Sequence, residues 1–219
     1  MSILVISATL GEFDRVELHE KQSLVCDYFN FNDNNFPVRE KAITKRLQAK
    51  IPKMFGWQLK PGYDYYLWID GNLKLSHKDA VKYFYDNCQD VDVVVMRHPY
   101  RPNIRQEARY LRKGLREQSL YLVGRYAGEW TPEQVDEINL DKDYADDLLV
   151  IGGVFMYRNT PAVQAMLKEW WYFTSRYSVF DQLSFAYVLK KSGLKLKILE
   201  DQYNKCKYLE HRKHKHHDR

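Results

Sequence analysis

Two apolar runs constrain this chain most. "YYLWI" (Tyr65–Ile69) and the valine-rich "VDVVVMR" (residues 91–97) can each be buried on both faces. Strands of that kind need helices packed on either side. The intervening sequence supplies them. Strands are expected at residues 3–7, 23–29, 148–157 and 194–199, with the last but one interrupted by Gly152 and Gly153. Helices are expected at 39–54 with a break at Pro52, and at 78–87, 102–121, 131–138, 161–176 and 180–191. Residues 30–37 gather Asn, Asp and Pro and read as a turn. Alternating strands and helices predict an α/β fold, an αβα sandwich around a mainly parallel central sheet. There is no internal repeat or flexible linker, so residues 1–210 read as one domain. Residues 211–219 read as a basic, His-rich tail.

A chain of 219 residues is long enough to bury a proper core. No apolar run approaches the roughly 20 residues that span a bilayer. The start lacks the basic region and cleavage site of a signal peptide. Cys26, Cys88 and Cys206 lie far apart without metal-type spacing, which suits reduced thiols. A cytoplasmic location is therefore expected. The net charge of +5 is too mild to select a partner. The 17 Tyr and 5 Trp fill cores but also stack on sugars and bases.

The run Tyr65–Ile69 stops on Asp70, Gly71 and Asn72. In open parallel sheets, ligands bind beyond the carboxyl ends of the strands, which puts this corner at the ligand edge. Gly71 permits a tight bend, and the two flanking oxygen-bearing side chains can then face one point. Oxygen ligands suit Mg²⁺ or Mn²⁺, and a corner with so few of them holds an ion shared with substrate phosphates. The same residues also make a good hairpin turn between Ile69 and Leu73. Both readings stand on this stretch alone.

"YYLWIDGN" resembles the DxD metal- and nucleotide-sugar motif of GT-A glycosyltransferases. It is similar to the variant in one GT-A-like family that includes plant mucilage- and pectin-related proteins and bacterial members. Other segments match that family in order: "PVREKAITKRLQAKIPKMF" (37–55), "VVVMRHPYRPNIRQEA" (93–108), "GGVFMYRNTP" (152–161) and "RYSVFDQLSFAYVLKK" (176–191). The resemblance implies a GT-A-like (Rossmann-like) fold and a hexosyl- or pentosyltransferase. The enzyme would use a nucleotide-sugar, expected to be a UDP-sugar, and add the sugar to a hydroxyl of a glycan or surface polymer. Asp70 would ligate Mn²⁺ or Mg²⁺ bridging the donor's phosphates. Asn72 stands where a second aspartate is usual, which puts the metal requirement in question. His211 or His214 would complete the metal shell.

The resemblance also assigns donor contacts. Thr9 and Asp14 belong to the loop that cups the nucleoside. Arg39 and Lys45 flank the diphosphate, Gly152 and Gly153 lie beside the sugar, and Gln182 faces the site with Asp181. Asp181 is the candidate base on the acceptor hydroxyl. His98, at the same sheet edge, joins the acceptor side.

Arg105, Arg109, Arg112 and Arg116 are spaced four, three and four apart, one face of a helix. Like charges at that spacing repel. Compensation is expected from an anionic acceptor, from DNA phosphates or from the acidic run at 141–147. These arginines therefore enter as acceptor-binding candidates. They keep two other readings open: a sugar transferred to a hydroxylated base in DNA, and a non-catalytic nucleic-acid-binding domain.

Overall fold

The computed structural model describes residues 1–212 except 12, 15, 17, 38–40 and 42. In chain order its elements are β1 (Ile3–Thr9), β2 (Asp27–Asn32), α1 (Lys45–Leu59), β3 (Tyr65–Ile69), β4 (Leu73–Leu75), α2 (Ala80–Cys88), β5 (Val93–Arg97), α3 (Ile104–Arg116), α4 (Leu120–Tyr126), α5 (Thr131–Leu140), β6 (Val150–Arg158), α6 (Pro161–Arg176), α7 (Gln182–Lys191), β7 (Leu196–Leu199) and β8 (Leu209–His211). The main sheet has the order β2-β1-β3-β6-β5-β7. Every neighbouring pair is parallel except those made by β6, which runs antiparallel to both β3 and β5.

Alternate residues of each strand feed two cores. Leu4, Ile6, Tyr66, Trp68, Val93, Val95, Phe155 and Tyr157 pack on one face with residues of α1, α6 and α7. Ile3, Val5, Leu67, Ile69, Val94, Met96 and Met156 pack on the other with α2, Leu75 and Leu209. This is the expected αβα sandwich, and the period-two alternation explains why both faces of the central strands read as apolar. No helix among the described residues is long and apolar enough to cross a membrane.

Several boundaries differ from the sequence expectation. The second strand begins at Asp27, not residue 23, because the parallel register starts at Leu4 with Asp27 and leaves Val25 90% exposed. Asn30 to Asn32, expected in a turn, continue that strand. Helix α1 starts at Lys45, where the Thr44 side chain accepts from Leu47 N. It runs through Pro52 to Leu59, with a kink at Phe55. Pro52, Lys53 and Met54 are all buried, so packing overrides the proline's local preference.

The long helix expected at 102–121 is two helices. Gln118 takes φ 56, Ser119 N bonds Gly114 O and Gln118 N bonds Leu115 O. That pairing is the Schellman stop, and α4 starts afresh beyond it. The hairpin reading of Asp70–Asn72 is corrected too. A turn is present, with Leu73 N on Asp70 O. However, β4 pairs with β8 at the other end of the chain, not with β3. His211, expected in a separate tail, is the last residue of β8 and pairs with Leu73.

Candidate active site

The cleft lies where the sheet topology puts a ligand, beyond the carboxyl ends of β1, β3 and β5. Its volume is about 450 Å³, and its walls include Asp14, Asp70, Asn72, Gly152, Asp181 and His211. The antiparallel β6 begins at this edge. Val95 pairs with Phe155, yet Arg97 pairs with Val150, so β6 bulges between those points. Gly152 and Gly153 occupy the bulge. A Cβ on Gly153 would sit 3.3 Å from Asp70 Oδ2, and one on Gly152 would sit 3.3 Å from Lys53 Nζ. The glycines thus leave room for charged side chains to crowd the strand.

Asp70 closes β3. Its backbone N bonds Gly153 O at 2.7 Å, and its Oδ1 accepts from Trp68 Nε1 at 2.8 Å and from Lys53 Nζ at 3.4 Å. These donors fix the rotamer, while the side chain remains 38% exposed. The Asn72 amide nitrogen lies 3.1 Å from His211 Nε2. The pairing of β4 with β8 creates that approach by carrying His211 back to the Asp70 corner. One carboxylate, one amide and one imidazole fit a divalent ion such as Mn²⁺. The amide reaches an ion by exchanging its oxygen and nitrogen positions, which are nearly isosteric. Among the described residues no three His, Cys, Asp or Glu side chains gather to hold a metal. The set therefore fits an ion whose remaining ligands come from a phosphate or water.

Behind this corner lies a chain of buried charges. Asp181 Oδ2 is 2.7 Å from Lys53 Nζ and 2.8 Å from Lys50 Nζ. The Lys53 side chain is 1% exposed, with its ammonium 5.7 Å from the Trp68 ring and 5.3 Å from the Trp170 ring. Burial alone would raise the Asp181 carboxyl, but Lys50 and then Lys53 override it and hold the group at about 2. Burial also lowers Lys50, against the pull of Asp181. Lys53 is raised: burial opposes its charge, and Asp181 and Asp70 outweigh burial. A carboxylate so low and so fully paired is a poor proton acceptor at neutral pH. Its two ion pairs hold Lys50 and Lys53 at the cleft wall. Its side chain does not cap α7.

The other expected residues divide. Asp14, His98 and Gln182 line the cleft with Gly152 and Gly153. His98 Nδ1 accepts from Tyr100 N and Arg101 N, and its Nε2 lies 3.5 Å from Arg101 Nη2. Burial, and then Arg101, lower His98 to about 4, so it is neutral at pH 7. Gln182 Nε2 donates to Glu107 Oε1 at 3.0 Å. Thr9 sits just behind the cleft, with its hydroxyl given to Asn30 Oδ1 at 2.9 Å. Lys45 is exposed and outside the cleft wall, its stem laid over Gly11. Arg39, His214 and the rest of 213–219 lie outside the described residues.

Arg105, Arg109, Arg112 and Arg116 are exposed and do not line the cleft. Glu107 faces it, through Gln182 and an ion pair with Arg101. At about 100° per residue, each of the four arginines points about 140–180° away from Glu107. The acidic run does not neutralise them. Its Asp146 caps α3 by accepting from Ile104 N and Arg105 N. Asp147 and Asp141 pair with Lys190 and Lys191.

Sequence reasoning passed over Lys50, Lys53, Tyr121, Arg125 and Tyr203, and noted Arg46 only among the basic residues ahead of β3 without keeping it as a candidate; all six line the cleft. A signal existed for three of them. Arg46, Lys50 and Lys53 are spaced four and three apart, one stripe of α1. Nothing local marks Arg125 or Tyr203.

A family model described as TOD1/MUCI70, glycosyltransferase-like domain, matches residues 37–217. No curated protein matches the sequence. Solved structures align over most of the chain at low identity. A glycosyltransferase involved in the glycosylation of the major capsid of PBCV-1 is 8% identical over 91% of this chain and 83% of its own, with a TM-score of 0.48. Mouse xyloside xylosyltransferase 1, in its apo form, is 12% identical over 90% and 84%, with a TM-score of 0.42. The 4-diphosphocytidyl-2C-methyl-D-erythritolsynthase of Anaerococcus prevotii is 10% identical over 94% and 91%, with a TM-score of 0.46.

Proposed function

The chain belongs to the TOD1/MUCI70 glycosyltransferase-like family, and from that premise we propose that its cleft binds a UDP-sugar and transfers the sugar to a hydroxyl of a glycan or surface-polymer acceptor. One observation carries the reading. Asp70, Asn72 and His211 converge at the sheet edge beside the buried chain of Lys50, Asp181 and Lys53.

In this reading Asp70, Asn72 and His211 are the residues that would hold Mn²⁺ or Mg²⁺. An ion held there would supply Lewis acidity to the diphosphate leaving group. Lys53 and Trp68 lock the Asp70 carboxylate toward the cleft. Asp181 positions Lys50 and Lys53, which add fixed positive charge where the leaving group gains negative charge. Asp14 stands at the nucleoside end. Gly152 and Gly153 admit the sugar ring against β6. Gln182, its amide nitrogen committed to Glu107, offers its oxygen to a sugar hydroxyl. His98, held between Arg101 and the Tyr100 and Arg101 backbone, shapes the cleft wall. No observation among the described residues favours DNA as acceptor, because the α3 arginines face away from the cleft.

Thermal melting against a panel of nucleotide-sugars, with and without Mn²⁺, tests this reading. A ligand that binds the folded state raises Tm. The expected result is a rise with one UDP-sugar that depends on Mn²⁺ and disappears in Asp70→Ala. A rise that persists in Asp70→Ala, or none with any donor, would overturn it.

A further inference from the structure

The cleft holds a second pair of cations that differs from the lysines. Lys50 and Lys53 are neutralised by Asp181 and Asp70. Arg46 from α1 and Arg125 from α4 are not. Their polar contacts are Arg46 Nη1 to the backbone oxygen of Arg125 at 2.6 Å, and Arg125 Nε to Tyr126 Oη at 3.4 Å. Among the described residues neither guanidinium has a carboxylate within ion-pair reach. Glu129, which acts on Arg46 from a distance, gives its Oε2 to Val179 N.

The two guanidiniums lie over one aromatic ring, 5.8 and 5.3 Å from the centre of Phe13, and Arg125 is also 5.1 Å from that of Tyr121. Arg125 Nη1 is buried without a hydrogen-bond partner. Two like charges side by side, part-buried and with a donor left unmet, carry a free-energy cost that an anion would remove. Guanidinium forks match planar and tetrahedral oxyanions alike, and flanking aromatic faces suit an adjoining sugar ring.

We propose that Arg46 and Arg125 form an oxyanion site that holds a carboxylate or phosphate group of the substrate. The assignment of that group to a substrate rests on the glycosyl-transfer reading; the site itself is tested by binding alone. Isothermal titration at low salt, in metal-free buffer with chelator, would use pyrophosphate and glucuronate as probes. The proteins are the full chain, Arg46→Gln, Arg125→Gln, Arg125→Lys and Lys197→Gln, each checked for an intact melting transition.

At least one probe is expected to bind wild type and to lose at least about tenfold in affinity in either Gln variant. Arg125→Lys should fall in between, and Lys197→Gln, exposed on β7 and outside the cleft wall, should bind as wild type does. Loss confined to pyrophosphate supports a site for the donor's diphosphate, and loss confined to glucuronate supports one for an acidic sugar. The proposal is overturned if neither probe binds wild type, or if folded Gln variants bind both probes unchanged. Should a Gln variant not fold, unchanged binding by Arg125→Lys overturns it, since an ammonium cannot reproduce the fork. Oxyanion binding retained by a protein that binds no nucleotide-sugar would defeat the glycosyl-transfer reading and leave the site standing.

Discussion

Lys53 is the most constrained side chain of the site. Its ammonium is enclosed by two indoles and two carboxylates. Removing Asp181 would strand it. Asp181→Asn is expected to lower unfolding free energy by about 3–5 kcal/mol, the scale for breaking a buried pair, as read by urea denaturation. A loss under about 1 kcal/mol would mean that the lysines find other partners. The same group sets a pH dependence. The folded pKa of Asp181, about 2, lies below its unfolded value, so the stabilisation is complete above about pH 4. It is lost as pH falls through 2, and Asp181→Asn should flatten that limb. His98 and His19 act higher. Burial, aided by Arg101 and Lys74 respectively, lowers both to about 4. The unfolded chain takes up protons there from about pH 6.5 downward, and the folded chain does not. Stability should therefore decline from pH 6.5 toward pH 4, and a urea midpoint equal at pH 7 and pH 5 would contradict this.

At the scale of elements, the active cleft is built by helix α1 and strand β6. The stripe of Arg46, Lys50 and Lys53 was legible as a helical spacing. That it faces a ligand was not, because a basic stripe more often faces solvent and only the sheet shows which side is covered. In β6 the paired glycines were legible as a break, whereas the bulge that aims them at Asp70 and Lys53 depends on the partner strand. Gly153→Ala is expected to weaken nucleotide-sugar binding about tenfold, since its Cβ would press on Asp70 Oδ2, while Tm changes little. Titration of the variant with the donor checks it. The break between α3 and α4 had no glycine to announce it. Gln118 holds the left-handed position that glycine usually fills, so Gln118→Gly should raise stability by about 0.5–1 kcal/mol in urea denaturation.

At the scale of the whole molecule, the strand–helix alternation was readable because each central strand is buried on both faces. Strand direction was not. The residues of β6 carry the same apolar pattern whichever way the strand runs, and only the connections make it antiparallel. The pairing of β4 with β8 was equally hidden. "LKL" and "LEH" are too short to read as strands, and they meet across most of the chain. That pairing delivers His211 to Asn72, so the corner at Asp70 is assembled from both ends of the matched region. The account's central claim is that this corner and the lysine–aspartate chain form one donor site. The most direct measurement is nucleoside diphosphate release from a panel of UDP-sugars with Mn²⁺ and acceptor glycans, by wild type, Asp70→Asn and Lys53→Met. The account predicts turnover of one donor by wild type and a fall of at least about 100-fold in both variants, with Asp70→Asn still folded. Equal rates in wild type and folded Asp70→Asn, or no release from any donor, would contradict it.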